Sequence, residues 1–160
     1  MTFNGEQEAI YSLVVYNNKL YVGQGSGNLD GDILFEAFPN WLEVYYGNQE
    51  SIRSLAVYNG NLYAGQASGG VSFYNGIQWS TTIVSNGINV YSLVVYNNKL
   101  YVELENGRIA VYDGTNWITT PVGGGEIRAL AVYNSKLYAG QGVITLEMEI
   151  YGLMMEIHGL

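Results

Sequence analysis

The chain of 160 residues contains no cysteine, only two prolines and a single histidine. Without cysteine it has no disulfide framework, no zinc–thiolate site and no thiol nucleophile, although this absence does not choose a compartment. The single histidine, His158, lies close to the C-terminus, which argues against a histidine-based triad or metal site. We therefore expect no catalytic residues, no metal and no cofactor.

Charged residues are also scarce, at 12% of the chain, and only six of them are Lys or Arg, so that the net charge is −8. Nucleic-acid binding and attraction to anionic membranes both require clustered basic residues, so neither partner is expected. No apolar stretch is long enough to predict a transmembrane helix, and Met1–Ile10 lacks the features of a signal peptide. The sequence predicts a soluble protein and leaves its localisation unknown.

Glycine and tyrosine are abundant instead, with 21 and 15 copies, and this composition favours strands joined by tight turns. The chain also repeats itself about every 40 residues, which is typical of propellers and other repeat folds. Each copy contains an apolar run that ends in Val-Tyr-Asn and is followed by a Leu-Tyr pair. The four runs are Ser12–Asn17, Ser54–Asn59, Ser92–Asn97 and Ala129–Asn134.

Repeat 3 illustrates the four strands, A to D, that we predict in each repeat. Strand A, Ser92–Tyr96, is a continuous apolar run, so we expect both of its faces to be buried. The dipeptide Asn97-Asn98 suits a type I′ hairpin turn, because asparagine tolerates a positive φ. Strand B follows at Lys99–Glu103, strand C at Arg108–Tyr112, and strand D begins at Trp117.

Four antiparallel strands in about 40 residues form the blade pattern of β-propellers. The blades, with their Asp113-Gly114-x-x-Trp117 turn, resemble those of bacterial propellers related to the WD40 and kelch classes. The Gly-His and Trp-Asp signatures of WD40 repeats are missing, so the resemblance is one of architecture. It implies a single all-β domain, a β-propeller of about four four-stranded antiparallel blades, at approximately residues 8–49, 50–88, 89–125 and 126–160.

Two kinds of blade alternate along the chain. Tyr11–Val22 and Tyr91–Val102 are identical over their whole length, whereas Ile52–Val57 and Ile127–Val132 share a different version. A duplicated two-blade unit explains this pattern, and it fits a natural or engineered fragment of a larger propeller. Four blades could close alone, but we expect a homodimer in which two chains complete a ring of eight blades about a two-fold axis.

The end of the chain departs from the repeat after Gln141. If codons are read in a shifted frame from Glu147 onward, the hidden peptide permits most residues of Asn106–Trp117 in register. We interpret the C-terminus as the product of a frameshift between Gln141 and Glu147 that replaced strands C and D of the last blade. Apolar residues alternate over 144–150, so a strand in the C position and a disordered end both remain open.

Binding residues are predicted at the end of each blade that precedes strand A, near the mouth of a central channel. The tyrosine rings and arginine forks there suit a small molecule, a sugar or a peptide. Glutamines that end strand B could add amide hydrogen bonds. The candidates are Tyr11, Arg53, Tyr91, Arg128, Gln24, Gln66 and Gln141. Packing between blades and satisfaction of turns are the alternative roles for the same side chains.

Carboxylate pairs occur at Glu103/Glu105 and at Asp30/Asp32, a spacing that places both members on one face of a strand. A glycosidase needs such a pair, but we interpret these as solvated turn residues and expect no enzyme. The tryptophans that begin strand D could stack on sugars or pack between blades. The sequence thus predicts a non-enzymatic binding or interaction scaffold with an unknown ligand, and the alternative is a carbohydrate-binding lectin.

Overall fold

The computed structural model describes residues 9–25, 32–37, 40–46, 50–85, 87–122, 126–143 and 151–156. The regular elements of this part of the chain are all β-strands. They form four antiparallel sheets, and within each sheet the strands are neighbours in chain order. Antiparallel strands joined by short hairpins produce this meander, since each strand pairs with the one that follows it.

Each of these sheets is one blade. Blade 1 contains β1 (Ala9–Tyr16), β2 (Lys19–Gly25), β3 (Asp32–Ala37) and β4 (Asn40–Tyr46). Blade 2 contains β5 (Ile52–Tyr58), β6 (Asn61–Gln66), β7 (Gly70–Tyr74) and β8 (Trp79–Ile83). Blade 3 contains β9 (Val90–Tyr96), β10 (Lys99–Leu104), β11 (Arg108–Tyr112) and β12 (Trp117–Pro121). Blade 4 has three described strands, β13 (Glu126–Tyr133), β14 (Lys136–Val143) and β15 (Tyr151–Glu156).

The predicted hairpin turns agree with this structure, and the predicted strand limits agree with it to within two residues. Both residues of the first turn have positive φ in every blade, for example 46° at Asn97 and 55° at Asn98, as a type I′ turn requires. Strand C of blade 3 has the predicted bounds, and strand D begins at Trp117 in blade 3 and at Trp79 in blade 2. These features are confirmed because turn chemistry and strand periodicity act locally.

The first strand of each blade lies innermost in the assembly of blades. Strand β1 packs against β5, β5 against β9 and β9 against β13, while the second strand of each blade contacts the first strand of the next. The outer strands do not pack in this way between blades among the described residues. The blades therefore radiate from a shared line of inner strands, as they do in a propeller.

The hydrophobic core lies between the blades, in three separate clusters. One cluster joins blades 1 and 2 through Tyr16, Ile33, Ile52 and Leu62. The other two occupy the junctions between blades 2 and 3 and between blades 3 and 4. We call each junction a seam. Stability thus depends on contacts between neighbouring blades, because a single sheet cannot bury its own two faces.

Hydrogen bonds repeat at the seams in two forms. In the first, a serine Oγ accepts from a leucine N–H of the next blade, at 2.9 to 3.0 Å. The donors and acceptors are Leu55 and Ser12, Leu93 and Ser54, and Leu130 and Ser92. In the second, a tyrosine hydroxyl donates to a turn carbonyl of the next blade, from Tyr16 to Gly60, Tyr58 to Asn98 and Tyr96 to Ser135.

The prediction that strand A is buried on both faces is correct for blade 2 and wrong for the other three blades. In β5, five of the seven residues are buried and none is exposed. In blade 3, only Leu93 of Ser92–Tyr96 is buried and Val95 is exposed, and in β1 and β13 most residues are exposed or half-buried. An apolar run shows which surface has to be covered, but a neighbouring blade covers it, and among the described residues β1 and β13 each have such a neighbour on one side only.

The C-terminal segment supplies a third strand to blade 4. Strand β15 pairs with β14 from Val143↔Tyr151 to Tyr138↔Glu156. This strand lies beyond residues 144–150, the segment in which the sequence predicted one, and that segment falls outside the described residues. The frameshift concerns the gene, so it stays a prediction. No helix in the described residues is long and apolar enough to cross a membrane.

Candidate functional site

Four β-bulges mark the same end of the innermost strands. In each blade the register between strands A and B shifts within the first residues of strand A. A bulge inserts one extra residue, bends the strand and changes the direction of the inserted side chain, and bulges are frequent beside active sites. The residues at these bulges are Tyr11, Arg53, Tyr91 and Arg128.

The four bulge residues form a continuous series of cation–π contacts. The Arg53 guanidinium lies 5.5 Å from the ring centroid of Tyr11 and 5.0 Å from that of Tyr91. The Arg128 guanidinium lies 4.9 Å from the Tyr91 centroid. An arginine over a tyrosine ring is held by the ring quadrupole while its in-plane donors stay directed away from the ring. We call this series the bulge ladder.

Carboxylates and an amide surround the later part of the bulge ladder. The Tyr91 hydroxyl donates to Glu105 at 2.9 Å, and Asn89 Nδ2 donates to the same carboxylate at 2.6 Å. These two bonds favour the ionised form and lower the pKa of Glu105 below its usual value. Arg128 forms an ion pair with Glu126 at 2.6 Å, which raises the pKa of the guanidinium.

Glu103 is the most unusual group near the site. Its side chain is fully buried, although the sequence analysis interpreted it as a solvated turn residue, and that interpretation is wrong. Oε2 accepts from the Tyr91 N–H at 3.1 Å, whereas Oε1 is buried and has no hydrogen-bond partner among the described residues. Burial disfavours the charged form and raises the pKa of Glu103 to about 8.

The pKa values of the two carboxyls, Glu103 and Glu105, are therefore shifted in opposite directions. The sequence did not reveal this asymmetry. Opposed pKa values can indicate an acid and a base, but a catalytic carboxyl must also reach its substrate. Glu105 is half-buried and Glu103 has no exposed surface. The pair acts as part of the support of Tyr91, to which both carboxyls are hydrogen-bonded. Asp30 lies outside the described residues.

The two glutamines that end strand B in blades 1 and 2 differ in their exposure. Gln66 is buried, and its Oε1 packs closely on Gly70. A Cβ added to Gly70 would lie only 2.2 Å from that oxygen. Gln24 is half-buried, and the side chain of Gln141 lies outside the described part of the chain. In blade 3 the same position is Leu104, which is also buried.

The tryptophans pack on tyrosines of their own blades. Trp79 stacks on Tyr74 with the ring centroids 5.2 Å apart, and Trp117 stacks on Tyr112 at 4.8 Å. Both tryptophans are half-buried and border the hydrophobic clusters of the seams. One face of each tryptophan ring is thus used for packing. This agrees with the alternative in which these residues pack within the protein. The Trp41 side chain and His158 lie outside the described residues.

A small cavity lies beside Trp117, between blades 2 and 3. Tyr63, Val71, Phe73, Thr82, Tyr112 and Trp117 line it, and its volume is about 30 Å³.

Solved structures with this arrangement of blades are known. The computationally designed Ika4 protein is 16% identical to this chain with a TM-score of 0.66, and the match covers 98% of this chain and 96% of that one. The fold is a β-propeller. The WD40 repeats of RRP9 match 87% of this chain with 16% identity and a TM-score of 0.68. Glutaminyl cyclase from Myxococcus xanthus matches 81% with 19% identity and a TM-score of 0.58.

These similarities establish the fold and leave the activity open, since two of the neighbours are not described as enzymes and one is. The chain spans 47% of the RRP9 chain and 60% of the glutaminyl cyclase chain. No protein-family model matches the sequence, and no curated protein matches it. The function must therefore be argued from the site.

Sequence reasoning selected the four residues of the bulge ladder as candidates, but it placed them before strand A, whereas they lie within it, and it missed the groups that support them. Asn89 lies before strand A of blade 3, where nothing in the repeat indicated a role, yet it binds Glu105. Glu103 carried a signal that was available: it occupies the position of Gly23, Gly65 and Gly140 in the other blades. Gly23 and Gly65 lie at crowded seams, so a glutamate at the equivalent position implies burial.

Proposed function

We propose that this chain is a non-enzymatic binding scaffold whose ligand site is the bulge ladder, and that its ligand carries a carboxylate, such as the free C-terminus of a peptide. The observation that supports this proposal is the repeated bulge, which brings a tyrosine or an arginine to one end of all four inner strands. Packing alone does not require two arginines in this row, because long apolar residues would fill the same space.

The chemistry of the ladder favours an anionic group. Arg53 is oriented by two tyrosine rings, and the Arg128 side chain is half exposed. Arginine presents donors in a fork that matches a carboxylate, so a ligand would compete with Glu126 for Arg128. The Tyr11 ring is 43% exposed and offers an apolar surface beside the carboxylate position.

Two considerations favour binding over catalysis. Of the carboxyls beside the ladder, Glu103 has a raised pKa but is buried, so it has no path to a substrate. The other two, Glu105 and Glu126, are engaged by Tyr91, Asn89 and Arg128. These contacts hold the ladder in place, which is a suitable role in a binding site, and they leave no free general base among these three carboxyls.

The test is a binding screen with paired probes. A library of short peptides with free C-termini is compared with the same peptides carrying amidated C-termini, on wild-type protein and on the R53K and R128K variants. Lysine keeps the charge but loses the fork, so we expect binding of free C-termini to fall about tenfold or more in each variant. Equal binding of amidated peptides, or binding unaffected by both variants, would refute the carboxylate site.

A glycan array on the same proteins addresses the lectin alternative. Under the present proposal the protein does not bind neutral sugars, because Trp79 and Trp117 are packed against tyrosines. Binding of a neutral glycan that persists in R53K and R128K would favour the lectin and contradict the carboxylate ligand.

A further inference from the structure

The two ends of the row of blades expose surfaces that the internal seams cover. Ile10 in blade 1 is 57% exposed, whereas its equivalents Ile52, Val90 and Ile127 have no exposed surface. At the other end Tyr133 is 66% exposed, whereas Tyr16 and Tyr58 are buried and Tyr96 is half-buried. The exposed residues are thus seam residues that lack the neighbouring blade.

The internal seams show what each end is shaped to receive. At the first seam Ile52 packs so tightly on Gly23 that a Cβ there would lie 2.8 Å from Ile52 Cγ2. At the second seam Val90 lies in the same way over Gly65, where the distance would be 2.5 Å. Among the described residues, the equivalent glycine of blade 4, Gly140, has only Ala129 near it, and a Cβ there would lie 3.6 Å or more from that residue. Blade 4 therefore presents an unfilled position for a residue of the Ile10 type.

Blade 1 of the same chain does not fill that position. Within the described part of the chain, strands β1 and β13 form no packing comparable to the internal seams, and the exposed Ile10 does not reach Gly140. We infer that a second copy of this chain covers these surfaces, with blade 1 of each copy packed on blade 4 of the other. Two identical seams related by a two-fold axis would then close one ring from two chains.

Contacts at the inferred seam can be derived from the internal ones. Ile10 of one copy takes the place on Gly140 of the other that Ile52 takes on Gly23. The Tyr133 hydroxyl would donate to the Asn18 carbonyl, in the manner of Tyr58 to Asn98. Leu13, which is 59% exposed, would become buried like its equivalent Leu93, which is 8% exposed.

One internal contact has no counterpart at the inferred seam. At each internal seam, a serine hydroxyl of strand A accepts a hydrogen bond from a leucine N–H of the following blade. In blade 4, Ala129 replaces that serine. The inferred seam is therefore weaker than the internal seams by one hydrogen bond, and the substitution A129S supplies the missing acceptor.

The bulge ladder gives an independent reason for the same partner. Tyrosine and arginine alternate along it, and Arg53 lies between two tyrosine rings. Arg128 contacts one ring, that of Tyr91, among the described residues. The next residue in the alternation would be Tyr11 of the second copy. The inferred seam does not depend on the ligand proposed above, because it follows from packing at the opposite ends of the chain.

The experiment measures solution mass by size exclusion with light scattering, over a dilution series. We expect a mass near twice 17.6 kDa for the wild-type protein. G140L and I10E should reduce the mass to that of one chain, because each blocks one side of the seam. Among the described residues, a Cβ at Gly140 would make only ordinary van der Waals contact with Ala129, so we expect G140L to keep the fold, as circular dichroism will verify. The matched control is I118E, which changes an equally exposed isoleucine on an outermost strand and should leave the dimer intact.

Further outcomes decide the proposal. A129S should lower the dimer dissociation constant about tenfold, since a net hydrogen bond is added at each of two seams. A single-chain mass for the wild-type protein, a mass that grows without limit, or a dimer that survives both G140L and I10E would overturn the inference. Ligand binding that persists in a single-chain G140L variant would leave the proposed function standing, so the two proposals can fail separately.

Discussion

The same twelve residues have different surroundings in blades 1 and 3. Leu13 and Leu93 belong to identical segments, yet Leu13 is 59% exposed and Leu93 is 8% exposed. Strands β5 and β13 repeat the contrast, since Ile52–Tyr58 is mostly buried and the nearly identical Ile127–Tyr133 is mostly exposed. The local sequence and the hairpin are alike in each pair, so the difference in burial comes from the adjacent blade alone.

The largest expected effect is on the pH dependence of stability, and it comes from Glu103, which replaces the glycine found at this position in the other blades. Glu103 has its pKa raised from 4.5 to about 8 by burial, so the folded state holds a proton that the unfolded state releases. Below pH 4.5 both states are protonated, and as the pH rises toward 8 the folded state loses stability. The loss is about 1.4 kcal/mol per pH unit at most, or roughly 5 kcal/mol over the whole window.

Urea unfolding at several pH values between 4 and 9 measures this slope. The variant E103Q keeps the shape of the side chain and cannot ionise, so its slope in the window should be much smaller than that of the wild-type protein. E105Q is the control, since the pKa of Glu105 is lowered and its contribution lies at more acidic pH. Parallel curves for wild type and E103Q would show that the carboxyl is hydrated in solution.

The next effect tests the contrast between the identical segments. Leu93→Ala should destabilise the protein by about 2 to 4 kcal/mol, because it leaves a cavity in the buried seam between blades 2 and 3. Leu13→Ala should cost less than about 1 kcal/mol in a G140L background that keeps the chain single. Chemical denaturation of both variants measures the difference. Equal losses would mean that Leu13 is covered within one chain.

The smallest effect concerns one hydroxyl. Tyr58→Phe removes the donor to the Asn98 carbonyl at a buried position and should cost about 1 kcal/mol. Tyr133→Phe, the equivalent change in blade 4, should leave the stability of a single chain within about 0.5 kcal/mol. Thermal unfolding in the same G140L background distinguishes them. A loss at Tyr133 as large as that at Tyr58 would reveal a partner for its hydroxyl inside the chain.

Most of the fold could be predicted from the sequence repeat. Two-residue turns such as Asn97-Asn98 and strand starts such as Trp117 were predictable because each depends on a few neighbouring residues. The order of strands within a sheet followed from the short turns. The structure of the C-terminal segment was harder to predict, because the sequence of β15 matches no strand of the other blades. Its pairing with β14 depends on a strand edge that the rest of blade 4 provides.

The candidate site was predictable as a set of positions and not as a set of contacts. Tyr11, Arg53 and Tyr91 were located by their place before strand A, and the alternation of aromatic and cationic residues was visible in the repeats. The support of Tyr91 by Glu103 and Glu105 was not foreseen, because one carboxyl is buried by the next blade and the other is bound by Asn89.

The sequence by itself determined the blade: its four strands, its type I′ turn and the residue types at its inner end, since these depend on backbone preferences and on the alternation of side chains within some 40 residues. Only the tertiary structure decided which faces are buried, which carboxyl is forced toward its neutral form, and which bulge residues stack on one another. Burial and electrostatics depend on what lies across a seam, and identical sequences on either side of the molecule have different neighbours there.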